Sequence, residues 1–153
     1  MAVKLKPMSK HSATVEILGR FKKRTRLSLP LYLSRIPAGF PSPAEDHIDR
    51  RLDLNEMVVR NPEATFFLKV KGDSMEQAGI FDGDILVVDR SVEPAHRKIV
   101  VAILDGELTV KRLYRKNGQI RLMAEKDAYP PIEISRESDL KIWGVVICSL
   151  HAH

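Results

Sequence analysis

From Thr65 onward the chain is a succession of β-branched and aromatic runs closed by turn signals, and this pattern decides what it can fold into. TFFLKV, DILVVD, KIVVAIL, ELTVKRLY, QIRLMA and KIWGVVI are six to eight residues long, the length of strands and not of helices. Asp105-Gly106 and Asn117-Gly118 fall between runs. Asx-Gly pairs accept the left-handed backbone of a two-residue hairpin turn, so an antiparallel meander is predicted over residues 98–124. The fold class expected is mostly β, a small antiparallel β fold preceded by a flexible arm and short helices.

The helical preface is read from capping signals. In SPAEDHIDRRL, Ser42 is an N-cap candidate, Pro43 stands at the first helical position and Glu45 follows three residues past the cap, with Ile48 and Leu52 four apart. This predicts a short amphipathic helix. A further turn or two over 54–60 would end at Asn61-Pro62. With 153 residues, 44% of them hydrophobic, there is material for one domain with a real core and too little for two large ones.

Charge divides the chain. Residues 1–38 carry nine Lys or Arg against one acid, Glu16, leaving 16 basic and 19 acidic residues on the remainder. The expected organisation is a basic N-terminal arm, 1–38, on a mildly acidic β domain, 39–153. The FKKRTR cluster at 21–26 suits a weak contact with nucleic acid phosphates, or simply a solvated tail, and an Arg-rich, acid-poor start keeps an organellar transit peptide as a minor rival. No apolar run approaches 18 residues and no apolar leader follows the first charges, so neither a membrane span nor a secretory signal is expected. Cys148 is the sole cysteine, which excludes an intrachain disulfide and fits a buried structural thiol in a cytoplasmic protein.

Between the first two runs lies KGDSMEQAGIFDGD, where Ser74 should stand exposed on a tight turn at a strand end. A serine hydroxyl needs a neighbouring base to become a nucleophile. His11, His47, His96, His151 and His153 fall in tails, on a helix face or in a loop, none with an evident acid partner, and none at metal-ligand spacing. No cofactor and no metal are expected. Lysine is the other candidate base. Lys111 lies inside ELTVKRLY on the same strand face as Thr109 and Leu113, and burial would lower its proton affinity. From these residues alone, the favoured reading is Ser74 as a turn residue and Lys111 as a snorkelling surface lysine, with nucleophile and base as the alternative. A third stretch, IPAGFPSP, should run extended, because Pro37, Pro41 and Pro43 fix their own φ and push the preceding residues away from helix.

GFPSPAEDHIDRRLDLNE, NPEATFFLKVKGDSM, GIFDGDILVVDRS, KIVVAILDGELTVKRL, AEKDAYPPIEI and WGVVI together resemble the LexA/UmuD-type self-cleaving serine-lysine peptidases, over residue 39 to about 147. The resemblance is closest to the UmuD branch, accessory subunits of bacterial error-prone DNA polymerases, and more distant to LexA and phage repressors. It implies Ser74 as nucleophile, Lys111 as general base, the backbone N–H groups of Asp73 and Ser74 as oxyanion donors, and Ala38-Gly39 as the bond cut. Asp73 and Met75 would otherwise shape the turn and pack beneath it. The resemblance also implies a bacterial, cytoplasmic SOS-response protein that dimerises, is stimulated by a RecA filament on single-stranded DNA, and serves a Y-family translesion polymerase. The arm is longer than that branch leads one to expect. A transcriptional repressor inactivated by self-cleavage is the alternative, although 38 residues are few for a helix-turn-helix domain. A signal-peptidase-like enzyme would need a membrane anchor.

Overall fold

The computed structural model describes residues 13–22, 28–32 and 48–153. In chain order the strands are β1 (Thr14–Arg20), β2 (Ser28–Tyr32), β3 (Ile48–Asp53), β4 (Thr65–Lys71), β5 (Ile85–Asp89), β6 (Ile99–Leu104), β7 (Glu107–Lys116), β8 (Gln119–Met123), β9 (Ile132–Glu133) and β10 (Leu140–Leu150). One short helix, α1 (Leu54–Val58), follows β3, capped by the Asp53 carboxylate on the Asn55 amide. All six runs read as strands are strands. The class is mostly β, as expected.

Eight strands form one antiparallel sheet in the order β1-β4-β5-β10-β6-β7-β8-β9, and β2 pairs with β3 separately. The meander β6-β7-β8 is turned by Asp105-Gly106 and Asn117-Gly118, all four residues at positive φ, which is why Asx-Gly stands there. The last strand, β10, is laid between β5 and β6. It is bulged against both, between Val146 and Cys148 on one side and between Ile142 and Gly144 on the other. Bulges bend a strand and increase its twist, so the sheet curls. Gly144 is required there, since a Cβ would stand 2.6 Å from Val88 Cγ1.

The curl buries both faces of the central strands. Leu68, Val70, Met75, Leu86, Val88, Val101 and Val110 form one apolar cluster; Val100, Ala102, Leu104, Leu113, Leu122 and Val145 form another. Adjacent residues of β6 thus belong to opposite cores, which explains why KIVVAIL is almost continuously apolar instead of alternating.

Three expectations are corrected or relocated. Ile48–Asp53 is strand and not the end of a helix. Ile48 and Leu52 are four apart, a spacing that satisfies the strand period as well as the helical one, and pairing with β2 selects the strand. Ser42, Pro43 and Glu45 lie outside the described residues, as do Ala38, Gly39 and most of FKKRTR. Cys148 is only partly buried. Part of the N-terminal segment, β1, pairs antiparallel with β4 as an edge of the main sheet.

Candidate active site

Ser74 leaves β4 on the turn that precedes a single 3-10 turn over Glu76–Ala78. The turn is held from a distant part of the chain. The Glu125 amide donates to the Ser74 carbonyl at 2.8 Å, and the Gln77 amide donates to the Glu125 carbonyl at 2.8 Å. Side chains reinforce this, because Lys126 bridges Asp73 and Glu76 while the Tyr129 hydroxyl donates to Asp73. The hydrogen bond from Lys126, aided by that from Tyr129, holds the Asp73 carboxyl below its ordinary range. Met75 is fully buried in the first apolar cluster. Asp73 and Met75 therefore shape and seat the turn, as expected.

Lys111 projects from β7, where Val100 of β6 lies directly across and is fully buried. The lysine is 3% exposed. Its Nζ donates to Ser74 Oγ at 2.9 Å, to Thr109 Oγ1 at 3.1 Å and to the Val110 carbonyl at 3.0 Å. These acceptors are neutral, and loss of hydration lowers the lysine pKa from 10.5 to about 8. The expected placement with Thr109 holds. What alternation did not reveal is that Thr109 touches the ammonium and passes a hydrogen bond onward to the Ala13 carbonyl at 2.9 Å.

Ser74 is completely buried, in contrast to the exposed turn serine expected. Ala13, just before β1, covers it, its amide donating to Ser74 Oγ at 3.0 Å. Among the described residues no histidine joins the pair: His96 accepts from the Arg115 amide, and His151 pairs with the buried Asp84. No group of three or more His, Cys, Asp or Glu suited to a metal occurs among the described residues.

The curled antiparallel sheet thus presses a buried serine hydroxyl against a desolvated lysine, an arrangement suited to an activated nucleophile. The Peptidase S24-like family model matches residues 30–147, and the chain belongs to that family. Its relatives include the protein MucA of Salmonella typhimurium, 48% identical over 127 residues that cover 82% of this chain and 86% of MucA. The protein SamA of Salmonella typhimurium is 46% identical, covering 80% of this chain and 84% of SamA. A LexA repressor from Ralstonia nicotianae is 44% identical over 74% of this chain and 52% of the repressor. Family membership carries serine-peptidase character in general terms. No helix among the described residues is long and apolar enough to cross a membrane.

Proposed function

We propose that the chain is a self-cleaving serine-lysine peptidase of the SOS response, cutting its own Ala38-Gly39 bond and then serving as accessory subunit of a Y-family translesion polymerase. The observation that carries the chemistry is the 2.9 Å contact between Lys111 Nζ and Ser74 Oγ within a buried, apolar surround. Neutral Lys111 takes the Ser74 proton as Oγ attacks the Ala38 carbonyl carbon. Charge then builds on the carbonyl oxygen, where the backbone N–H groups of Asp73 and Ser74 receive it. The lysine returns its proton to the Gly39 nitrogen, the C–N bond breaks, and Ala38 remains as an ester on Ser74. Lys111 next deprotonates a water that attacks the ester, releasing the Ala38 carboxylate and restoring the serine. Thr109 Oγ1 and the Val110 carbonyl hold Nζ on target throughout. Gly39 suits the bond because it brings no Cβ against the recessed serine.

The cut would change the protein electrostatically. Removing 1–38 strips nine positive charges and one negative, taking the formal charge from +5 to −3, enough to alter which partner surfaces attract it. The decisive experiment incubates purified protein with a RecA-type filament on single-stranded DNA and nucleotide. Mass spectrometry should find two fragments meeting at Ala38 and Gly39, absent from Ser74→Ala. A cut elsewhere, or none, removes the reading. Dimerisation of the cleaved body and copurification with a Y-family polymerase test the second half. The LexA match favours a repressor as the second reading. Sequence-specific retardation of duplex DNA by the intact chain, lost on cleavage, would select it.

A further inference from the structure

β8 pairs with β7 only from Arg112 to Lys116. On that side the first half of β7, Glu107–Lys111, is met by no residue of β8, and the chain at Ala13 approaches it. The Ala13 carbonyl accepts from Thr109 Oγ1 at 2.9 Å and from the Val110 amide at 3.4 Å, while its amide donates to Ser74 Oγ at 3.0 Å. Both backbone groups of one residue are thus engaged by the residues that would do the chemistry. Ala13 is wholly buried, as is Ser74, so a long charged side chain at this position would have to leave water to stay in place.

The register of this occupant is unreactive. A nucleophile reaches an amide carbonyl from the face of the peptide plane, whereas an oxygen hydrogen-bonded to the Ala13 N–H lies toward the edge of that planar group. The contact also consumes electron pairs: a serine oxygen has two, and here one accepts from Ala13 and the other from Lys111. We infer that the cleft between Ser74 and the first half of β7 is a groove for an extended chain with a small residue at its centre, and that the protein's own Ala13 segment fills it as a built-in competitor of Ala38-Gly39. This rests on the self-cleavage reading for the identity of the displaced substrate. Occupation itself does not depend on it. Anchoring comes from β1, whose pairing with β4 from Thr14 to Arg20 holds Ala13 at the groove. Cleavage then requires Ala13 to withdraw first, and a partner could accelerate cleavage simply by capturing the N-terminal segment.

Two full-length variants test this. Ala13→Arg would have to bury a charge to stay in the groove, and Ala13→Pro removes the N–H that holds Ser74. If Ala13 fills the groove in about nine molecules of ten, ejecting it should raise the partner-free rate of cutting after Ala38 about tenfold. Labelling of Ser74 by a fluorophosphonate, read by mass spectrometry, should accelerate similarly and needs no self-cleavage. Exchange of the Val110 amide should quicken while that of Leu86 and Val101 stays slow, showing that the body remains folded. A synthetic peptide of residues 9–20 should slow both reactions of Ala13→Arg. Labelling and exchange unchanged from the parent in both variants would overturn the inference. Faster labelling in a chain that never cuts after Ala38 would sustain the groove and reject the self-cleavage reading instead.

Discussion

Burial of Lys111 fixes the shape of a pH profile. With a pKa of about 8, roughly a tenth of the lysine is neutral at pH 7, half at pH 8 and nine-tenths at pH 9. Self-cleavage without a partner should therefore climb about tenfold between pH 7 and pH 9 and then level off. A hydrated lysine at 10.5 behaves differently: its neutral fraction grows about tenfold for every unit from 7 to 10, roughly a thousandfold in all, with no plateau in that range. The assay is the initial rate of appearance of the fragment beginning at Gly39, from purified full-length protein in buffers of constant ionic strength. Lys111→Arg should be inactive at every pH, since guanidinium stays charged. A flat profile, a slope near one persisting beyond pH 9, or cutting after Ala38 by Lys111→Arg would each refute the desolvated lysine as the base.

The same burial should appear in stability. Folding lowers the Lys111 pKa, so between about 8 and 10.5 the unfolded chain binds more proton than the folded one. The resulting cost is full below pH 8 and fades as pH rises toward 10.5. Lys111→Met should thus stabilise the fold at pH 7 by between about 1 and 3 kcal/mol, and by almost nothing at pH 11, in denaturant melts compared at the two values. Thr109→Val keeps volume but deletes the acceptor for Nζ, and should slow cleavage at least about tenfold where Thr109→Ser does not; equal rates would remove Thr109 as a positioning residue. Gly144→Ala drives a methyl to 2.6 Å from Val88 and should cost about 1–3 kcal/mol, read as a lowered denaturation midpoint.

Much of the sheet was legible because its strands advertise themselves locally: β-branched runs, Asx-Gly turns and lengths too short for helices. Where local signals were shared, the sequence was ambiguous. Ile48 and Leu52 fit either period, and only a partner strand decides. β1 carries alternation in TVEIL, but the basic charge around it dominates the reading, and its partner β4 lies about fifty residues away. The bulges of β10, which curl the sheet, have no distinct residue signature apart from Gly144. Ser74 and Lys111 were identified through family resemblance, whereas Thr109 was within reach of simple alternation. Ala13 was beyond reach altogether, because it acts through backbone groups that every residue possesses.

The stitching of Ser74 to Glu125, with Lys126 and Tyr129 on Asp73, has a consequence for the order in which a ribosome delivers this chain. On the proposed reading the bond to be cut, at 38–39, is synthesised early; the proposed nucleophile follows at 74, the proposed base at 111, and the residues that fix the turn of Ser74 only at 125–129. On that reading a nascent chain carries Ala38-Gly39 well before Ser74, Lys111 and the contacts that seat Ser74 have all been made. Premature cutting during synthesis is precluded by chronology, without any inhibitor.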